Sequence, residues 1–232
     1  MQTEPVKDFV NNSKYYLYIA VSFVAILIIS NTVAVKLIGI GHIVFTGAFL
    51  IFPISYIFGD ILTEVYGYKA TRNIIWAGFF TQFLMVFCYS LVQIMPAASV
   101  WTNQASYNVI LGVVPRIAIA SMIGYFCGEF ANSYIMSKIK IKTEGKLLWV
   151  RTIGSTIVGQ LLDSVLFTVI AFFATIPTHI LLTMIAVQYF GKVIYEIILT
   201  PVTYYLIKKL KQAEGVDTYD RNISYSPFGI KD

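Results

Sequence analysis

The chain has 232 residues, of which 57% are hydrophobic and 12% are charged, and its formal net charge is +5. Soluble domains carry about 25% charged residues, so the composition excludes a water-soluble globular protein and indicates an integral membrane protein. The positive charge does not indicate a nucleic-acid partner, because the basic residues fall in short predicted loops rather than along one face. The two cysteines lie in apolar runs without CxxC or metal-ligand spacing, so neither a metal ion nor another cofactor is expected.

Apolar runs of the roughly 20 residues needed to cross a bilayer occur six times along the chain. They predict transmembrane helices at 15–37, 43–66, 69–95, 109–138, 146–176 and 179–210. The expected fold class is therefore all-α, a polytopic membrane protein with six transmembrane helices. Residues 1–14 are expected to form an N-terminal segment, 15–211 the transmembrane domain, and 212–232 a polar tail that is ordered only in part. The polar start of the chain does not resemble a cleavable signal peptide.

The distribution of basic residues predicts the orientation, because Lys and Arg concentrate in cytoplasmic loops. If the N-terminus is inside, only Lys36 falls in an outer loop. The inner segments then hold Lys7, Lys14, Lys69, Arg72, Lys138, Lys140, Lys142, Lys146, Arg151, Lys208, Lys209 and Lys211. This asymmetry predicts that both termini are cytoplasmic.

Two short motifs indicate an internal repeat. "GDILTE" begins at Gly59 in the second span, and "GQLLDS" begins at Gly159 in the fifth. "SNTVAVK" at the end of the first span also resembles "ANSYIMSK" at the end of the fourth. Three spans in each half would make the halves inverted, an arrangement typical of transporters that bind substrate near the midplane. Chance similarity between apolar segments is the alternative explanation.

Several ionisable side chains lie inside the predicted spans, where a charge is costly and is often functional. They are Asp60, Glu64, Arg116, Glu129, Asp163, Lys192 and Glu196, and the amides Asn31 and Gln160 accompany them. Spacing of three or four residues groups several of these on shared helix faces: Tyr56 with Asp60 and Glu64, Gln160 with Asp163, and Lys192 with Glu196. Such faces are expected to turn towards the bundle interior.

Structural explanations compete with functional ones for some of these residues. Glu64 is close enough to the cytoplasmic end of its span to pair with Lys69 or Arg72. Lys192 and Glu196 could neutralise each other as a structural pair.

Arg116 stands early in its span and could extend to the outer surface, and Arg151 is expected to anchor a helix at the cytoplasmic face. Asp60, Glu129 and Asp163 lie deeper, so they are the stronger site candidates, although each could also be the partner of a buried cation.

Motifs of several enzyme classes are absent from the sequence. There is no GxxxxGK[ST] loop and no HExxH, so neither ATP hydrolysis by a P-loop nor zinc hydrolysis is indicated. No GxSxG nucleophile elbow occurs. The chain is not expected to be an enzyme, and selective binding and movement of a small polar molecule fits the remaining features.

The motif "FPISYIFGDILTEVYGYKATRNIIW" from Phe52 resembles the signature of the queuosine precursor transporter family, also called the vitamin uptake transporter family. The segments "SNTVAVK" from Ser30, "PRIAIAS" from Pro115, "GEFANSY" from Gly128 and "RTIGSTIVGQLLDSVLF" from Arg151 extend this resemblance over nearly all six spans. The resemblance implies a single-chain, multi-pass protein of the bacterial inner membrane. It also implies uptake of deazaguanine bases for queuosine synthesis in tRNA, without an ATPase subunit.

A deazaguanine base offers a ring N–H beside an exocyclic amine, and one carboxylate can accept both hydrogen bonds. Amides can bind the carbonyl edge of the base. We therefore expect a central site whose substrate-binding residues are Asn31, Asp60, Glu129, Gln160 and Asp163. Supporting or gating roles are expected for Tyr56, Glu64, Arg116, Lys192 and Glu196.

Other function classes remain open on sequence alone. A substrate-capture subunit that needs a separate energising ATPase module would also have about six spans and no nucleotide motif. An intramembrane enzyme would need a nucleophile with a base, or a metal cluster, and a scaffold would not need so many buried charges. The expected partners are a nucleobase and the lipid bilayer, and a homodimer is plausible for a protein of this size.

Overall fold

The computed structural model describes residues 13–40, 43–112, 114–174, 177–221 and 223–228. Over these residues the chain forms seven helices and one β-hairpin. In chain order they are α1 (Tyr16–Val33), β1 (Leu37–Ile40), β2 (Ile43–Thr46), α2 (Ala48–Tyr66), α3 (Tyr68–Ile94), α4 (Gln104–Leu111), α5 (Val114–Lys142), α6 (Leu148–Phe172) and α7 (Thr178–Glu214).

Five of these helices are long and apolar enough to cross a membrane: α1, α2, α3, α6 and α7. The expectation of a polytopic helical membrane protein is therefore confirmed at this level. The remaining long helix, α5, has 29 residues but is not among these five over the described residues. Its sequence includes Glu129, Asn132 and three lysines near its end, so the count of six spans stays a prediction.

A β-hairpin separates the first two long helices, where the sequence indicated helix on both sides of a short loop. Its strands pair in antiparallel fashion from Leu37 opposite Thr46 to Ile40 opposite Ile43. The run Ile43–Thr46 is rich in β-branched and aromatic residues, which favour strands. The second span consequently begins at Ala48 and not at residue 43.

The start of the fourth predicted span was also placed incorrectly. Residues from 109 were expected to continue into one helix, but α4 ends at Leu111 and α5 begins at Val114. Gly112 stands at the end of α4. Pro115 stands in the first turn of α5, where a missing backbone N–H costs no helical hydrogen bond.

The faces of the long helices have an inverted polarity compared with a soluble protein. Large apolar side chains such as Phe80, Phe83 and Phe190 are more than half exposed, as expected where lipid replaces water. Buried positions in contrast include many hydroxyl, amide and charged side chains. The interior of the bundle therefore holds polar side chains alongside an apolar core.

Small residues allow α5 and α6 to pack closely. A Cβ atom built on Gly128 would lie 2.8 Å from the carbonyl oxygen of Gly159, and one built on Gly159 would lie 2.9 Å from that of Gly128. Glycine at both positions lets the two backbones touch, as small residues do in membrane helix pairs. This contact fixes the interior faces of α5 and α6 relative to each other.

The start of the first helix and the end of the last helix lie close together. The Glu214 carboxylate, at the end of α7, accepts hydrogen bonds from Ser13 Oγ at 2.7 Å, from the Tyr15 backbone N–H at 2.8 Å and from Tyr66 Oη at 3.0 Å. The start of α1, the end of α2 and the end of α7 therefore lie together. We call this the terminal end of the bundle.

The C-terminal tail packs across the terminal end. The Tyr68 backbone N–H donates to Asp220 Oδ2 at 2.8 Å, Arg72 Nη1 donates to the Ser226 carbonyl at 3.0 Å, and Trp76 Nε1 donates to the Pro227 carbonyl at 2.8 Å. The Phe228 ring lies 5.7 Å from that of Trp76. The described tail residues are thus attached more extensively than the polar sequence indicated.

Candidate functional site

Four carboxyl groups from four different helices are buried in the interior of the bundle. Asp60 on α2 and Glu129 on α5 are 0% exposed, Asp163 on α6 is 3% exposed, and Glu196 on α7 is 2% exposed. We call these four residues the central cluster. Glu129 precedes Lys140 by eleven residues, which is about 16 Å along the helix axis, so the cluster lies about three turns of α5 away from the lysines at the end of that helix.

Only part of the central cluster is paired. Lys192 Nζ donates to Asp163 Oδ2 at 2.5 Å, and Asn132 Nδ2 donates to Asp60 Oδ1 at 2.8 Å. Asp60 Oδ2, Glu196 Oε1 and both oxygens of Glu129 are buried without a hydrogen-bond partner among the described residues. Buried polar atoms are normally satisfied, so these oxygens mark the candidate binding site.

The structure does not pair Lys192 with Glu196, the structural explanation that the sequence left open. Lys192 extends instead to Asp163 on the neighbouring helix, and its ammonium lies 4.9 Å from the centre of the Phe52 ring. The ion pair therefore joins α7 to α6, and it does not lie within α7, because Lys192 and Asp163 both face the interior.

Two neutral polar side chains also reach the cluster without partners. Tyr56 Oη and Gln160 Oε1 are unbonded within the described structure, and each residue is 1% exposed. A Cβ atom on Gly128 would lie 3.3 Å from Tyr56 Oη and 2.9 Å from Asp163 Cβ, so that hydroxyl lies beside Asp163. Gln160 stands one helical turn before Asp163.

Asn31 belongs to a separate polar group. Its Nδ2 donates to Gln82 Oε1 at 3.0 Å, and its Oδ1 accepts from Ser121 Oγ at 2.7 Å. These bonds join α1 to α3 and α5, and none of them reaches the central cluster. A substrate-binding role for Asn31 stays a prediction.

Glu64 is fully buried near the terminal end, and its cationic partners come from distant parts of the chain. Arg151 donates from Nε and Nη2 to the two carboxylate oxygens at 2.6 and 2.7 Å. Lys211 Nζ donates to Oε1, and Lys140 Nζ donates to the Glu64 backbone carbonyl at 2.6 Å. Asp217 accepts from Lys140 and Lys211, and we call these five residues the Glu64 cluster.

Two expectations about this end of the molecule are corrected. The carboxylate of Glu64 is paired with Arg151 and the lysines of α5 and α7, and not with Lys69 or Arg72. Arg151 is not a surface anchor, because it is 2% exposed and bonded in bidentate fashion to Glu64. Planar guanidinium groups suit such buried, two-point contacts.

The tail carboxylates have opposite pKa shifts. Partial burial raises the pKa of Asp217, but the hydrogen bonds and charges of Lys140 and Lys211 outweigh it and hold that pKa below the usual value. Burial raises the pKa of Asp220, against the hydrogen bonds donated by Ser137 and the Tyr68 backbone. Asp217 therefore joins the tail to the bundle as an ion at neutral pH.

Several members of these clusters were not singled out as site residues from sequence. Asn132 and Lys140 follow Glu129 by three and eleven residues, which is the spacing of one helix face, so that signal was present. Lys211 and Asp217 gave no such signal, because they meet Glu64 only through the path of α7 and the tail. The Arg116 side chain lies outside the described residues. Among the described residues, no group of three Asp, Glu, His or Cys side chains is arranged to hold a metal ion.

Comparison with known proteins gives the family. A family model described as "Putative vitamin uptake transporter" matches residues 46–206, a range that contains the whole central cluster. The chain belongs to this family. The family consists of transporters, so this vitamin uptake transporter is not an enzyme, and it is a multi-pass membrane protein.

Two curated relatives of this transporter are bacterial. A protein of Bacillus subtilis (strain 168) named "Probable queuosine precursor transporter" is 31% identical over 156 residues, which cover 67% of this chain and 68% of that protein. The "Queuosine precursor transporter" of Escherichia coli (strain K12) is 26% identical over 126 residues, which cover 54% of each chain. No solved structure matches the chain.

Proposed function

We propose that this chain imports queuosine precursors, the deazaguanine bases, through a binding site formed by the central cluster. The names of both curated relatives support this substrate class. The observation that carries the site is the set of buried, unbonded oxygens on Asp60, Glu129, Gln160 and Glu196. Four helices contribute to the central cluster, as in transporters whose site lies between two moving halves.

The chemistry of these side chains suits a deazaguanine edge. An ionised carboxylate accepts two parallel hydrogen bonds from a ring N–H and its neighbouring amine. The Gln160 amide offers both a donor and an acceptor for the carbonyl side of the base. Tyr56 adds an aromatic face and a hydroxyl, and flat ligands stack on such rings.

Transport by this site requires the helices to separate. The central cluster is 0–3% exposed, so its carboxyl groups are closed off from solvent in the described conformation. We propose that one half of the bundle rocks against the other, in alternating access between two inverted sets of three spans. The similar motifs at Gly59 and Gly159 support this, and both glycines face α5.

We propose that both termini lie in the cytoplasm of a bacterial cell, with the terminal end of the bundle at that surface. The excess of Lys and Arg in the segments at this end supports the assignment. A homodimer is proposed as the oligomeric state, and the mass of the purified protein in detergent tests it.

The decisive experiment is uptake of a radiolabelled deazaguanine base by liposomes that contain only this protein. Uptake without any added ATPase supports an importer, whereas binding without uptake supports the alternative of a substrate-capture subunit. Glu129→Gln and Asp163→Asn are expected to lower uptake at least about tenfold, because each loses a charge-assisted contact. Glu144→Gln, at an exposed position, is the matched control, and wild-type uptake by both cluster variants would contradict the site.

A further inference from the structure

Negative charge exceeds positive charge in the described interior. The central cluster has four carboxyl groups, and Lys192 is committed to Asp163. The nearby cations at the terminal end are committed to Glu64 and Asp217. Asp60, Glu129 and Glu196 therefore have no cationic partner among the described residues.

The Glu129 carboxyl group lies against α2 beside Asp60. A Cβ atom built on Gly59, the residue before Asp60, would meet Glu129 Oε1, and Asn132, three residues after Glu129, donates to Asp60 Oδ1 at 2.8 Å. Like charges at such sites disfavour simultaneous ionisation. The one arginine in the sequence of α5 stands at position 116. That position precedes Glu129 by thirteen residues, or about 20 Å along the helix axis, so it is not adjacent to the cluster.

Burial makes this repulsion expensive. An ionised carboxylate removed from water without a partner is strongly destabilised, and the group binds a proton instead. Tyr56 Oη and Gln160 Oε1 are also buried without partners among the described residues, and the Tyr56 hydroxyl lies near Asp163. A neutral carboxylic acid can donate a hydrogen bond, so protons on the cluster supply donors that ionised carboxylates lack.

We propose that Asp60, Glu129 and Glu196 form a proton-binding site that is occupied in the closed conformation and exchanges its protons for a cationic heterocycle. This inference rests on the proposed function. For each exchange, one carboxylic acid O–H bond is broken, the proton leaves to solvent, and the carboxylate accepts an N–H from the ligand's ammonium group. The total charge inside the bundle is then unchanged, which is the condition that a low-dielectric interior favours.

The exchange distinguishes two kinds of planar ligand. A heterocycle with an aminomethyl substituent is a cation at neutral pH, since its primary amine resembles that of lysine. A heterocycle with a cyano substituent is neutral and brings no charge to replace the proton. The site therefore releases protons for the first ligand and not for the second.

Calorimetry on the purified wild-type protein tests the proposal with the aminomethyl and cyano derivatives of deazaguanine as probes. The protein is titrated at one pH in phosphate and in Tris, which have different enthalpies of ionisation. The difference between the two binding heats, divided by the difference between the two ionisation enthalpies, gives the number of protons released. We expect about one proton released per bound aminomethyl probe, with a Kd that falls about tenfold per unit rise in pH. The cyano probe is expected to release none.

The outcomes separate the two hypotheses. If the aminomethyl probe binds with the same heat in both buffers, proton exchange is wrong and the proposed function stands. If neither probe binds, the proposed function fails and the exchange fails with it. Equal proton release by both probes would overturn the link to ligand charge.

Variants assign the protons to residues. Glu196→Gln and Asp60→Asn are each expected to reduce the number of protons released with the aminomethyl probe. The melting temperature of the same preparation in detergent shows that a variant is folded. Wild-type proton release by both variants would exclude these two residues as the proton carriers.

Discussion

Asp60 and Glu64 stand one helical turn apart on α2, yet they have opposite surroundings. Glu64 is held by Arg151 and two lysines, whereas Asp60 accepts one hydrogen bond from Asn132 and leaves its second oxygen unbonded. A fully paired charge is fixed in place, while an incompletely paired one can take a ligand. We therefore propose separate roles for the two acids, Glu64 in holding the terminal end together and Asp60 in the candidate site.

Glu64→Gln is expected to lower stability severely. It would leave Arg151 buried without its carboxylate, and breaking such a pair costs about 3–5 kcal/mol. The melting temperature of the detergent-purified protein measures the effect. Glu144→Gln changes the same charge at an exposed position, and an equal loss in both variants would contradict the role of Glu64.

Asp163→Asn and Lys192→Met are expected to be destabilising singly and less so together. Each single change leaves one buried charge unpaired, whereas the double change removes both. A double-mutant cycle on melting temperature checks this. Additive losses would show that Lys192 and Asp163 do not act as a pair.

The sequence was sufficient to predict which acids are buried but not which cations neutralise them. Asp60, Glu129 and Asp163 were identifiable because each interrupts an apolar run long enough to span a bilayer. The pairing of Glu64 with Arg151 depends on how α2 and α6 are rotated and placed, and nothing local to either residue encodes it. The sequence instead favoured Lys69 and Arg72 as partners of Glu64, because they are close to it along the chain.

Among the secondary-structure elements, α5 and α6 bring two helix backbones into contact at a pair of glycines. Gly128 and Gly159 make this contact, and the side chains next to them in sequence, Glu129 and Gln160, belong to the candidate site. Any increase in the distance between these helices would move both polar groups. The site geometry therefore depends on residues that have no side chain of their own.

Gly159→Ala is expected to destabilise the protein by about 1–3 kcal/mol, because the new Cβ atom would meet backbone. Gly154 lies on the same helix, and there a Cβ atom would lie 3.4 Å from the end of the Ile139 side chain. Gly154→Ala is expected to be neutral or stabilising by up to about 1 kcal/mol, since alanine favours helix. Thermal unfolding of both variants tests this, and an equal loss would contradict close packing at Gly159.

The elements were predictable where the apolar pattern was long and regular. Helices α3 and α7 begin within a residue of their predicted starts, because their apolar runs follow turn residues, Gly67 and Pro177. The hairpin between α1 and α2 was missed because strand and helix cannot be distinguished in a short apolar run. Gly47 contacts α1, since a Cβ atom built on it would lie 2.5 Å from the Val33 carbonyl oxygen. This contact depends on how the chain folds back after the hairpin, so the local sequence could not predict it.

At the scale of the whole molecule, the tail joins helices that are far apart in sequence. Asp217 contacts Lys140 and Lys211, and the Thr218 backbone N–H donates to the Val65 carbonyl at 3.3 Å. In the alternating access proposed above, separation of the two halves at the terminal end has to loosen some of these contacts. Under that proposal, the tail favours the described conformation.

Asp217→Asn is expected to release the tail. The variant loses the charge that holds Lys140 and Lys211, so limited proteolysis within residues 216–228 should become faster at neutral pH. Arg221→Gln, an exposed change in the same tail, serves as the control. Equal protection in both variants would show that the ion pairs do not hold the tail.

The same ion pairs predict the response to pH. Because the pKa of Asp217 is lowered from 3.8, its stabilising contribution is present above that value and is lost as the pH falls through the lowered pKa. Proteolysis of the wild-type tail should therefore stay slow from about pH 8 to about pH 5. Rapid cleavage already at pH 5 would contradict this assignment.

Trp76 makes the position of the tail measurable without a label. Its indole N–H is bonded to Pro227 and its ring contacts Phe228, whereas Trp101 and Trp149 are 47% and 53% exposed. When the tail leaves, this indole exchanges an aromatic contact for solvent or detergent, and its emission changes. The fluorescence of the unmodified protein can thus report tail release on the timescale of transport.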